Sequence, residues 1–102
     1  MPTVYITAPR DVAPEIARTL VEERLAACVN RLACDSVYRW DGEVLTDEEA
    51  VLLAKTTDER YAALRDRVVD LHPSEVPCIE RFDESDILDA FGNWRAESVG
   101  EG

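Results

Sequence analysis

Lysine is almost missing from this chain: Lys55 is the only one, arginine supplies the rest of the basic charge, and His72 is the only histidine. Against 11 basic residues stand 22 acidic ones, for a net charge of -11 and a pI near 4.4. That balance argues against a nucleic-acid partner, because backbone phosphates are held by Lys and Arg and the chain has no basic stripe or interleaved basic and aromatic patch. An anionic membrane surface is disfavoured on the same ground. One histidine leaves a single side chain with an ordinary pKa near neutrality, without a Ser, His and Asp constellation or a glycine-rich phosphate loop, so no enzyme is expected. No apolar run approaches the roughly 20 residues of a membrane helix. The N-terminus MPTVYITAPR lacks a basic lead followed by an apolar core, so a soluble, cytoplasmic protein is expected. The cysteines, Cys28, Cys34 and Cys78, are odd in number and none lies in a Cys-x-x-Cys pair. Free thiols are therefore expected, rather than a disulfide framework or a structural zinc site.

What is present is enough for one domain over residues 1–102, with 46% hydrophobic content to build its core. The surplus of Asp and Glu, with arginine replacing lysine, reads as a surface adapted to high salt, where screening relieves self-repulsion. An acidic protein of ordinary salt habit is the alternative.

Thr3 to Ala8 alternates around Val4 and Ile6 as a strand that Pro9 ends. Asp11 offers a cap, and Val12, Ile16, Leu20 and Val21 recur at helical spacing to about Arg24 or Leu25, with Pro14 tolerated in the first turn. From Cys28 to Trp40 strand formers dominate, with slips in the alternation that predict a bulge. Asp41-Gly42 is a tight-turn signal, and the strand after it runs from Glu43 to Thr57 with a possible break at Asp47 to Glu49. Asp58 then caps a helix carrying Tyr61, Leu64, Val68 and Leu71, stopped by Pro73. Val76 to Phe82 is a short strand. A last helix begins at Ser85 or Asp86 and turns Ile87, Leu88, Phe91 and Trp94 inward, Gly92 being its weak point, and the tail beyond Val99 frays.

Strand, helix, strand, strand, helix, strand and an extra C-terminal helix make an α+β, ferredoxin-like split βαβ fold. Its central hairpin is too long for a plain monomer: strands of about 13 to 15 residues would extend roughly 45 Å at about 3.3 Å per residue. Such an arm overhangs the domain, and its open edges and apolar residues Val37, Tyr38, Trp40, Val44 and Leu45 call for another copy of the chain.

Several segments carry a resemblance. They are Ala17, then Leu20-Val21-Glu22-Glu23-Arg24-Leu25-Ala26-Ala27-Cys28-Val29-Asn30, Ser36-Val37-Tyr38-Arg39-Trp40 before Gly42, Glu49, Leu52-Leu53-Ala54-Lys55-Thr56-Thr57, and His72-Pro73 with Val76-Pro77. In this order and spacing the chain resembles the CutA family of divalent-cation tolerance proteins over most of Val4 to Ile79; beyond that only Trp94 is similar. The resemblance implies a homotrimer in which hairpin arms extend the neighbours' sheets, as in PII signalling proteins. It also implies binding of divalent metals, notably copper, without an established reaction, while some members are linked to protein anchoring. The family's His-Pro-Tyr-x-Val-Pro-Glu-Ile motif is altered here to His72-Pro73-Ser74-Glu75-Val76-Pro77-Cys78-Ile79, so a tyrosine and a glutamate are replaced.

The candidate metal ligands are Cys28, His72 and Cys78, and each has a structural alternative. His72 ends a helix, where it can serve the terminal carbonyls. Cys28 and Cys78 can pack as small hydrophobes, and as thiolates they would select Cu(I) or Zn. Cys34 stands about 20 Å from Cys28 along an extended strand, too far for joint chelation within one chain. Tyr38, Trp40 and Lys55 are assigned to an inter-subunit cleft: the aromatics as interface anchors, and the lone lysine as an ion-pair or small-anion partner. The expected function is a non-enzymatic homotrimer that binds copper or another divalent metal between subunits. The alternative is a PII-like signalling or structural trimer that acts through a protein partner or a small effector.

Overall fold

The computed structural model describes residues 1–100. Its order is β1 (Pro2–Pro9), α1 (Ala13–Glu22), β2 (Cys28–Trp40), β3 (Glu43–Lys55), α2 (Asp58–Leu71), β4 (Ile79–Asp83) and α3 (Asp89–Val99). The strands form one sheet in the order β2-β3-β1-β4, with β1 antiparallel to both β3 and β4. This is the ferredoxin-like α+β arrangement. Alternate residues of the sheet's inner strands, Val4, Ile6, Ala8, Leu52 and Ala54, are buried with Ile16 and Leu20 of α1 and Leu64 and Val68 of α2. A period of two on the strands meets a period near 3.6 on the helices in one core.

The hairpin is regular throughout. All thirteen residues of β2 pair with β3, from Cys28 opposite Lys55 to Trp40 opposite Glu43, so neither the expected bulge nor the expected break is present. The slips in sequence alternation reflect exposure of both faces rather than a change of register: a strand that covers no core on either side need not alternate. Asp41 (φ 51°) and Gly42 (φ 81°) take the left-handed conformations of the tight turn. Because β1 ends at Pro9 opposite Glu49, the residues from Glu43 to Glu48 and their β2 partners project past it. Six residues make an overhang of about 20 Å, in a molecule of 46 × 26 × 20 Å.

Element ends depart from expectation for local reasons. Helix α1 stops at Glu22, and Arg24 turns into the left-handed region at φ 59°, so that Leu25 and Ala26 both donate backbone hydrogen bonds to Leu20. Val21 is left exposed. The residues preceding α1 and α2 are Val12 and Thr57, and neither helix has a side-chain cap bond, from Asp11, Asp58 or elsewhere. Strand β4 begins only at Ile79, opposite Ile6, although the Thr7 N–H still donates to the Cys78 carbonyl at 3.3 Å. Helix α3 starts at Asp89 and turns Gly92, Arg95 and Val99 inward, while Leu88 and Trp94 face out. Gly92 is thus a packed position, its missing Cβ lying 3.7 Å from Ile87. The end of the expected frayed tail, Glu101 and Gly102, lies outside the described residues.

Candidate functional site

Where the arm leaves the sheet, β1, the overhanging hairpin and the segment from His72 to Cys78 enclose a cleft of about 520 Å³. Asp47, Glu48, Glu49, Tyr38, His72 and Cys78 line it, and neither Lys nor Arg is among the lining residues. Pro73 ends α2, so the chain crosses back under β1, and His72 is buried beside Thr7. One ring nitrogen, Nε2, lies 2.8 Å from the Thr7 carbonyl and the other, Nδ1, accepts the Ser74 N–H at 3.1 Å. These two bonds fit the neutral Nε2–H tautomer and leave neither nitrogen free.

The other donors have distinct states. Burial pushes the Cys78 thiol up, a hydrogen bond with Thr7 works against this, and the nearby Glu80 carboxylate, 3.7 Å away, adds to the rise. The group is a thiol rather than a thiolate near neutral pH. Tyr38 donates to Asp47, and that bond holds its phenol above the ordinary tyrosine range. Tyr38 also joins Trp40, Ser74, Glu75 and Val76 around a second hollow of about 280 Å³, contiguous with the first.

The sequence candidates therefore separate. His72, Cys78 and Tyr38 meet at one cleft, with Trp40 on its extension. Cys28 lies opposite Lys55, which itself lies opposite Thr3, at the far end of the sheet. Three strand spacings and four residues put Cys28 about 20 Å from Cys78. Lys55 donates to the Asn30 amide at 3.5 Å. Among the described residues no three His, Cys, Asp or Glu side chains are clustered closely enough to hold a metal ion.

Two arginines went unnoticed in the sequence. Arg10, the residue after β1, donates to the Glu49 and Cys34 carbonyls, each at 3.0 Å, and pairs with Asp35 and Glu48 at 3.3 and 3.4 Å. Arg95 is 1% exposed and bonds the carbonyls of Pro2 and Thr56 as well as Glu84 at 3.0 Å. No spacing rule marks either one, because their partners are distant in the chain.

The sheet face turned away from the helices carries Tyr5 against Phe82, with ring centroids 5.9 Å apart. By register Leu53, Val51 and the exposed Leu32 share that face. Strand order and helix placement first define the class, a split βαβ protein with an overhanging hairpin. The family model described as CutA1 divalent ion tolerance protein then matches residues 2–98, and the chain belongs to that family. The divalent-cation tolerance protein CutA of Thermus thermophilus is 46% identical over 99 residues, covering 95% of this chain and 96% of its own. Human protein CutA is 45% identical over 74 residues, 71% of this chain and 41% of its own. Among solved structures, the Thermus thermophilus protein superposes with a TM-score of 0.92 at 45% identity, covering 98% of this chain and 100% of that one. A protein described as PII-like CutA from Nostoc, in apo form, gives 0.94 at 29% identity, covering 98% of each chain.

Proposed function

We propose that this chain acts without catalysis as a homotrimer whose arms lie on neighbouring copies, and that the cleft at each arm's base receives a divalent cation at the subunit boundary. The observation that carries the cation reading is the cleft's lining: Asp47 and Glu49, which share one strand face, and the Cys78 thiol, with no lysine or arginine among the lining residues. The trimer reading rests on the overhang, whose strand edges pair with no further strand among the described residues, and on the apolar sheet face. Since no three such groups converge within one copy, at most two of Asp47, Glu49 and Cys78 would contribute to the ion and donors from a neighbour would complete the shell. Because carboxylates suit hard cations and thiolate suits soft ones, copper or zinc fits this mixed set better than magnesium or calcium. His72 would join only by giving up one of its two hydrogen bonds, and Cys28 lies too far away to share the same ion. The reading also places the protein in the cytoplasm of a salt-rich cell, as its acidic surplus favours; a relative from Archaeoglobus fulgidus is described as periplasmic, and cell fractionation decides the location.

Light scattering should give three times the chain mass. Copper or zinc should raise the melting temperature of the wild type and not of an Asp47→Asn, Cys78→Ser double variant. Equal response of the two proteins, or none in either, defeats the metal reading. The likeness to the PII-like Nostoc structure supports a second reading, in which the same trimer acts through a protein partner or small effector. Recovery of the trimer alone from a native lysate, under near-native salt, would count against the protein-partner form of it.

A further inference from the structure

The cleft at the base of the arm continues along the hairpin. Its larger hollow, about 520 Å³, is lined by Asp47 and Glu49, and the smaller, about 280 Å³, by Trp40 and Glu75; Tyr38, Ser74 and Val76 line both. Neither Lys nor Arg lines either hollow. By register Tyr38, Trp40, Asp47 and Glu49 share the sheet face turned away from the helices. The two carboxylates stand two residues apart on one strand, about 7 Å, and among the described residues no three His, Cys, Asp or Glu side chains close around a point. A spaced row of acids suits a cation whose charges are themselves spaced, and this interval is near the separation of the amines in a diamine with four methylenes. Tyr38 and Trp40 are both partly exposed, and the Tyr38 hydroxyl is tied to Asp47, which fixes its ring between the two hollows. Ring faces attract ammonium groups and also pack against methylenes. A quaternary ammonium calls for a cage of rings, whereas here the rings alternate with separated acids.

We propose that this cleft binds a linear aliphatic polyamine, with two ammonium groups on Glu49 and Asp47, the chain beyond them along Tyr38 and Trp40, and a further ammonium on Glu75. This use of the cleft rests on the small-effector reading given above, whose ligand it names by class. A polyamine and a divalent cation would compete, since both use Asp47 and Glu49, while Trp40 and Glu75 serve the polyamine alone.

Titration calorimetry of the full chain with putrescine and spermidine tests this, in EDTA and about 0.15 M KCl, where exposed charges beyond about 8 Å are screened. Spermidine should bind more tightly than putrescine. Trp40→Ala should weaken spermidine about fivefold, the worth of one exposed cation–aromatic contact, and Trp40→Phe should restore most of the loss. Glu75→Gln should weaken spermidine and leave putrescine unchanged, while an Asp47→Asn, Glu49→Gln double variant should bind neither. If light scattering shows that Trp40→Ala alters the assembly, Glu75→Gln carries the test. Spermidine affinity unchanged in both Trp40→Ala and Glu75→Gln would mark diffuse attraction to an acidic surface and overturn the site. Butane-1,4-diol and succinate, of like length without positive charge, separate the two readings. Binding of either by a protein that ignores spermidine overturns the polyamine and keeps the effector reading; silence from every probe overturns the polyamine and leaves the effector reading without support from this cleft.

Discussion

At the scale of single residues the pair Arg95 and Glu84 has the largest consequence. Arg95 fixes α3 to the sheet end through two backbone carbonyls and one carboxylate, and Thr3 donates to that same carboxylate. Two atoms of this cluster, Arg95 Nε and Glu84 Oε2, are buried without a hydrogen-bond partner, so the cluster is strongly constrained and incompletely satisfied. Arg95→Met should destabilise the fold by about 1–3 kcal/mol, the cost of losing its bonds to two buried carbonyls and to the Glu84 carboxylate, and denaturant unfolding measures it. Burial pushes the Glu84 carboxyl up, yet hydrogen bonds from Thr3, from its own backbone N–H and from Arg95 outweigh this and hold it below the usual range. Its stabilisation is therefore complete above the unfolded glutamate pKa of about 4.3 and is lost as pH falls through the lower folded value. Glu84→Gln should flatten the fall in stability between neutral pH and that acidic range. Cys78 gives the opposite kind of test. In a Cys28→Ser, Cys34→Ser background its alkylation rate should reach half its plateau above the ordinary cysteine pKa of about 8.5; a midpoint at or below that value would contradict the half-buried setting of this thiol.

At the scale of elements the hairpin and the last helix behave oppositely. Asp41-Gly42 between two β-rich runs was readable in advance, because positive φ at both turn residues restricts the residue types that fit. No heavy atom lies within 4 Å of a Cβ placed on Gly42, so Gly42→Ala should cost only the left-handed strain, about 1–2 kcal/mol, without a clash. Thermal unfolding and amide hydrogen exchange in the arm should both report it. In helix α3 the apolar spacing of Ile87, Leu88, Phe91 and Trp94 does not mark the inward side. Its inward side is instead set by an arginine whose carbonyl acceptors, Pro2 and Thr56, are 93 and 39 residues away. Phe91 stacks near Trp94, with centroids 5.6 Å apart, and these aromatics pack on each other more than on the core. Of the candidate site, His72 and Cys78 were legible as a motif, whereas their meeting with Tyr38 and Asp47 needed the hairpin's register against β1.

At the scale of the whole molecule, charge and the overhang act together. A net charge of -11 on 102 residues works against the approach of further copies. Since the Debye length falls from about 10 Å at 0.1 M to about 3 Å at 1 M, molar KCl should raise the melting temperature and favour assembly. Scanning calorimetry and light scattering across that range check this; a flat response would rule out the halophilic reading. The sequence by itself determined the order of elements, the long hairpin and the acidic surface, because hydrophobic period, turn chemistry and charge are local properties. Only the tertiary structure decided that Arg10 bonds the Glu49 and Cys34 carbonyls, that Arg95 docks the last helix, and that Cys28 stands apart from His72 and Cys78. Those outcomes depend on strand order and register, which bring together residues that no local spacing relates.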